Sequence, residues 1–212
     1  MTFWLIVTCF LIYGVISTII IFGYISEEWI LQNFGFSLEN LFNRPWCLIT
    51  SIFLHKDIDH LVSNMFALLF FGIAVESKLG WKKMLLIFFL GAFVGDLLSI
   101  FFYPPNVISI GASAGVFALV GTGMIIKPFG FCLFPPFYIL PLGLVGILYT
   151  IYNIIGFIFG IGNVSYVAHF GGLLTGMYFG VKQEGWKKSI LNIIIILLML
   201  ILVPLVWILL FS

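Results

Sequence analysis

Near the middle of the chain, Ile110-Gly111-Ala112-Ser113-Ala114-Gly115-Val116-Phe117 sets one serine among small residues at the head of an apolar run. A serine hydroxyl is a poor nucleophile until a base takes its proton, and histidine is the commonest base. His169 lies in a later apolar run, and a neutral imidazole there is able to accept that proton. His60 and Asn64 stand four residues apart, which puts them on one face of a helix. Attack on an amide carbonyl builds an oxyanion that needs hydrogen-bond donors. The Asn64 amide, a His60 ring N–H and the Ser113 backbone N–H are candidates, helped by the unpaired N–H groups and positive dipole end of the helix that Ser113 opens. These residue types describe acyl transfer: Ser113 as nucleophile, His169 as base, His60 and Asn64 as oxyanion donors, and water to release the acyl group.

The elements that must carry them are set by composition. Hydrophobic residues make up 63% of the 212 and charged residues 8%, against about a quarter charged in a soluble domain. That excludes a soluble globular protein, and a net charge of +1 gives no case for nucleic acid. Cys9, Cys47 and Cys132 are odd in number and lack metal spacing, so they read as packing residues, and no metal or other cofactor is implied. The first apolar run lacks the basic flank and small-residue cleavage site of a signal peptide and reads as a retained span.

Apolar runs suited to crossing ~30 Å of hydrocarbon occur at about Phe3–Tyr24, Ile58–Val75, Met84–Tyr103, Ser113–Ile126, Phe137–Phe159, Val167–Val181 and Ile190–Phe211. Spanning backbone is helical or a closed barrel, and these runs are too long and too uniformly apolar for barrel strands. The expectation is an all-α polytopic membrane helix bundle with seven spans, two of them short. The connection Ile25–Thr50 is amphipathic, with Trp29 and Trp46 as interface anchors, and should form short helices lying in the outer interface.

Seven of the nine basic residues, Lys78, Lys82, Lys83, Lys127, Lys182, Lys187 and Lys188, follow spans two, four and six. By the positive-inside rule that side is cytoplasmic, which puts the N-terminus inside, the C-terminus outside and the protein in the cell membrane. The same lysines gauge depth. Asn64, Ser113 and His169 precede Lys78, Lys127 and Lys182 by 14, 14 and 13 residues. At ~1.5 Å per residue they share one layer ~20 Å above the inner edge, or ~10 Å below the outer surface. Because span four is short, an aqueous cavity open to the outside follows. The non-helical approach Pro104–Ile110 is tolerable only if it lines such a cavity or is buried in protein. Gly172, Gly176 and Gly180 recur every four residues on span six, a small-residue face that lets span four approach closely. Phe117, one turn below Ser113, is placed to pack on the His169 ring.

Four pieces, in order, resemble the rhomboid intramembrane serine proteases: Arg44-Pro45-Trp46 through Thr50-Ser51-Ile52-Phe53-Leu54-His55, His60-Leu61-Val62-Ser63-Asn64-Met65, Gly111-Ala112-Ser113-Ala114-Gly115, and Ala168-His169-Phe170-Gly171-Gly172. The resemblance covers residues 1–182 as a six-helix catalytic core and leaves 183–212 as an additional C-terminal transmembrane helix. It implies a Ser113–His169 dyad without an acid, His60 and Asn64 at the oxyanion, and Gly111, Phe117 and Gly172 in support. The implied partners are single-span membrane proteins within the lipid bilayer, entering near span five and cut close to the outer face. Ala114 departs from the family's usual Gly-x-Ser-Gly.

Plainer readings exist for each part. A lone Gly-x-Ser-x-Gly in an apolar helix serves packing, and a lone buried histidine serves as a structural hydrogen bonder. Asp96 in span three reads as a buried structural carboxylate ahead of a third triad member or proton-path residue, and His55 as a loop residue ahead of a metal ligand. The alternative function is a non-catalytic rhomboid-like chaperone or adaptor binding transmembrane helices, which would be expected to lose the serine or the histidine. A transporter would need polar residues through the inner halves of spans two, four and six, which are almost entirely apolar.

Overall fold

The computed structural model describes residues 1–134, 138–160 and 165–211. The expected start of span five at Phe137, residues 161–164 of the Gly160–Tyr166 connection, and Ser212 lie outside the described residues. Helix α1 (Thr2–Ile21) is followed by three short helices, α2 (Glu27–Phe34), α3 (Leu38–Asn43) and α4 (Cys47–Thr50). Helix α5 (Ile58–Ala67) runs through a π-helical turn into α6 (Ile73–Leu79) as one 22-residue rod. Then come α7 (Trp81–Ser99), α8 (Ser113–Ile126), a two-stranded antiparallel hairpin of β1 (Phe131–Phe134) and β2 (Tyr138–Pro141), α9 (Leu142–Phe159), α10 (Tyr166–Glu184) and α11 (Trp186–Phe211).

Each apolar run read from the sequence contains a helix, and the protein is an all-α integral membrane bundle. Thr2–Ile21, Ile58–Leu79 and Leu142–Phe159 are each long and apolar enough to cross a membrane, while α10 and α11 meet that test as a pair turned through 118°. Two of the three short helices between α1 and α5, α2 and α3, start where a side chain caps them. Ser26 Oγ accepts from the Trp29 N–H, and Ser37 Oγ from the Asn40 N–H, each satisfying one orphan donor of the first turn. Arg44 Nε and Nη1 donate to Asn33 Oδ1 and Asn40 Oδ1, and Trp46 Nε1 donates to the Asn33 carbonyl. The charge and the indole therefore fold this connection onto itself.

Helix α8 is the centre of the bundle. Every residue from Ala114 to Ile126 is buried, as expected of a helix that is apolar all round, and α7, α9, α10 and the α5–α6 rod surround it. Its closest neighbour is α10. A Cβ on Gly172 would sit 2.0 Å from the Ala114 carbonyl oxygen, and one on Gly176 1.9 Å from that of Ala118, so only glycine permits this approach. Thr122 Oγ1 joins the pair, within 2.9 Å of both the Ala118 and Gly176 carbonyls.

Lys78, Lys127 and Lys188 gather at the opposite end of α8 from Ser113. Lys78 Nζ pairs with Glu184 at 2.5 Å and donates to the Ile126 carbonyl; Lys188 also pairs with Glu184, and Lys127 Nζ donates to Ser77 Oγ at 3.1 Å. Helix α11 closes this end. Asn192 Nδ2 donates to the Ile125 carbonyl at 2.9 Å, and Ile196 fills the space over Gly143.

Two boundaries differ from the sequence reading. Span three was expected at Met84–Tyr103, but α7 covers Trp81–Ser99. Lys82 and Lys83 are accommodated in its first turn because lysine stems lie along apolar surface while the ammonium reaches out, and the outer end stops short of Pro104-Pro105, which bias the preceding residues out of helix. The stretch before α9 is a hairpin rather than the beginning of a span. A short apolar run does not reveal by periodicity whether it is strand or helix.

Candidate active site

The approach to α8 is held by backbone pairing. Phe36 and Ser109 exchange both hydrogen bonds at 3.0 and 2.7 Å, Glu39 N–H donates to the Pro105 carbonyl, and Gly111 N–H donates to the Ser51 carbonyl at 2.9 Å. This gives non-helical chain at membrane depth the partners it requires. Gly111 then turns at φ +118°, and a Cβ there would lie 2.8 Å from His60 Cε1 and 2.9 Å from His60 Nε2. Glycine is required at 111 both for the backbone angle and for the space taken by the imidazole. No side chain caps α8, so its first N–H groups stay available beside Ser113.

His60 is set by Asp57, whose Oδ1 accepts from the His60 N–H at 2.8 Å as the N-cap of α5. Asn64 follows one turn later and is buried, and its Nδ2 has no hydrogen-bond partner among the described residues. That nitrogen faces Gly111, 3.8 Å from where a Cβ would stand. A buried amide donor without a partner is costly, which makes it notable beside a serine hydroxyl. His55 lies edge-on to His60 with ring centroids 5.2 Å apart. Burial, aided by the neighbouring His60, lowers the His55 pKa to about 4, so this ring is neutral near pH 7.

Ser113 Oγ lies 2.7 Å from His169 Nε2. The His169 ring is buried and stacks on Phe117 at 4.4 Å with planes 13° apart, while Tyr166 meets it edge-on at 6.1 Å. The other ring nitrogen, Nδ1, lies 2.8 Å from Asn153 Oδ1 on α9. Asn153 was not singled out in the sequence, although an amide inside the apolar run Leu142–Phe159 was a readable signal. Gly172 serves the site from α10 through its approach to Ala114. The Ala114 methyl, the departure within the serine motif, points at Gly95 of α7, where an added Cβ would come within 2.8 Å of it. Asp96 is buried on α7 and makes no hydrogen bond or ion pair with Ser113, His169, His60 or Asn64 among the described residues.

A cavity of about 560 Å³ adjoins the site, lined by Glu27, Lys56, His60, Tyr103, Ser109 and Ser165 among others. Ser113 and His169 are not among its described lining residues, so the cavity reaches the site at His60 and Ile110.

Fold and site together define a class: polytopic helical membrane proteins with a hydrogen-bonded serine and histidine joining the head of a buried central helix to its tightest neighbour. The chain belongs to the rhomboid family, whose Rhomboid domain model matches residues 43–185. It is 36% identical over 154 residues to RHOMBOID-like protein 6, mitochondrial, of Arabidopsis thaliana, covering 69% of this chain and 48% of the relative. Identity is 34% over 120 residues with Rhomboid-like protease 3 of Toxoplasma gondii, covering 56% and 45%. With Rhomboid protease GluP of Bacillus subtilis it is 33% over 144 residues, covering 68% and 27%. The chain thus spans about half or less of the length of these relatives.

Proposed function

We propose that this protein is an intramembrane serine endopeptidase that cleaves single-span membrane proteins near the outer face. The observation that carries the reading is the 2.7 Å contact between Ser113 Oγ and His169 Nε2. As Ser113 Oγ bonds to the substrate's carbonyl carbon, its proton passes to His169 Nε2 and the carbonyl electron pair moves onto oxygen. The unpartnered Asn64 Nδ2, a His60 ring N–H and the free N–H groups at the start of α8 stand ready for that oxyanion. His169 returns the proton to the leaving amine, and water admitted through the cavity beside His60 releases the acyl group. The protease names of the Toxoplasma and Bacillus relatives support this reading.

In this proposal residues 1–182 are the catalytic core and 183–212 an additional transmembrane helix. The lysine-rich end faces the cytoplasm of a cell membrane, and transmembrane segments of substrates arrive through the bilayer near α9. The test is labelling by a serine-directed fluorophosphonate, then cleavage of a generic single-span substrate after reconstitution. Wild type should label at Ser113 and cleave, and Ser113→Ala and His169→Ala should do neither. Folded wild type without labelling would instead support a membrane-helix chaperone or adaptor; cleavage that survives Ser113→Ala removes the nucleophile assignment.

A further inference from the structure

We infer that Asn153 is a positioning residue that fixes the tautomer of His169, extending the serine–histidine pair into a hydrogen-bonded chain anchored on a helix backbone; the inference rests on the proposed roles of Ser113 and His169. Asn153 is fully buried on α9, and its two amide atoms have separate partners. Nδ2 donates to the Tyr166 carbonyl oxygen at 3.2 Å, and Oδ1 lies 2.8 Å from His169 Nδ1. A backbone carbonyl only accepts, so the amide nitrogen must face Tyr166 and the amide oxygen must face the imidazole. An amide oxygen also only accepts, so Nδ1 must carry the proton. The tautomer follows from the bond the other nitrogen makes: Nε2 is left with its lone pair directed at Ser113 Oγ, whose O–H donates to it at 2.7 Å.

In the acyl-transfer step the proton leaving Ser113 Oγ forms the Nε2–H bond, giving an imidazolium with two N–H groups. Nδ1–H stays bonded to Asn153 Oδ1 throughout, and the Nε2 proton is the one handed on to the leaving amine. Asn153 exchanges no proton, so its contribution is orientation and tautomer choice. A carboxylate at 153 would serve the same geometry, but an added buried charge at membrane depth carries a heavy desolvation cost. The neutral amide avoids that cost. The Phe117 ring on one face of the imidazole and Tyr166 at its edge limit its rotation, and the bond to Asn153 Oδ1 completes that orientation and chooses the tautomer.

The test is 15N NMR of full-length protein labelled at histidine. The chain has three histidines, and His169 is assigned by the signals lost in His169→Ala. In wild type, His169 Nδ1 should be protonated and Nε2 not. Asn153→Leu, which removes the acceptor at similar size, should let the Nε2–H form appear and slow fluorophosphonate labelling of Ser113, by up to the ~10⁴-fold that a wrong tautomer costs a serine–histidine site. Asn153→Asp, which keeps an acceptor for Nδ1–H, should hold the Nδ1–H tautomer and lose less labelling than Asn153→Leu. An Nε2–H tautomer in wild type overturns the inference on its own, even if Asn153→Leu does not fold. So does an Asn153→Leu protein with unchanged tautomer and labelling, or equal losses in the Leu and Asp variants that follow their thermal midpoints, which would mark a packing role. If wild type shows the Nδ1–H form, Asn153→Leu loses it, and Ser113 is never labelled, the positioning role stands and the protease reading fails.

Discussion

At the scale of residues, the site depends on groups whose surroundings leave them one available act. Asn64 Nδ2 is buried without a hydrogen-bond partner among the described residues, and under the proposed function it serves a charge that forms later. Asn64→Ala should lower kcat for substrate cleavage by ~100-fold with little change in KM, the pattern of a donor used only in the transition state; an effect confined to KM would assign it to substrate binding. Gly111→Ala should cost more than space. It places a side chain at φ +118° and against the His60 ring, with backbone strain of about 1–3 kcal/mol. Loss of Ser113 labelling together with a lower thermal midpoint is expected, and wild-type labelling would show that the His60 position is not critical. Ser113, His169, His60 and Asn64 were legible in the sequence because each is a polar side chain inside an apolar run, which the bilayer makes expensive. Asn153 carries the same mark, but its meaning depends on how α9 packs against α10. Sequence depth alone does not give that lateral arrangement.

At the scale of elements, the distance between serine and histidine is set by the α8–α10 contact. Gly172 and Gly176 face backbone carbonyls at 2.0 and 1.9 Å from an added Cβ, whereas at Gly180 the nearest atom is Ile125 Cβ at 2.9 Å, a smaller overlap. Substitution should therefore be graded. Gly172→Ala and Gly176→Ala should each force the helices apart, lowering the thermal midpoint and Ser113 labelling together, although Gly176 lies about two turns along α10 from His169. Gly180→Ala should cost less than either. Equal losses at all three positions, measured side by side, would mean that the glycine face as a whole, and not its backbone contacts, holds the pair. The four-residue spacing of these glycines made their shared face readable. The hairpin of β1 and β2 was not readable, since Phe131–Pro141 continues the apolar composition of its neighbours. The inner boundary of α7 was missed for a related reason, because two lysines were read as outside the helix when their stems allow them within it.

At the scale of the whole molecule, the two ends of the bundle do different work. The end with Ser113 is built from polar side chains, a cavity and a non-helical approach. The other is tied by ion pairs and by α11. Removing 183–212 would delete Glu184 from its contacts with Lys78 and Lys188, free the Ile125 carbonyl from Asn192, and uncover Gly143 where Ile196 sits. Every one of these losses falls at the lysine end. Ile125 lies twelve residues along α8 from Ser113, ~18 Å at the helical rise. Chain ending at residue 182 should therefore show a lower thermal midpoint in detergent while keeping fluorophosphonate labelling of Ser113, with labelling again abolished by Ser113→Ala. The expectation follows from where the contacts are: among the described residues, the hydrogen bonds and ring contacts of the serine, the histidine and Asn153 come from α8, α9 and α10. If the shortened chain stays folded yet loses labelling, α11 is part of the functional unit and the division of the molecule at residue 182 is wrong.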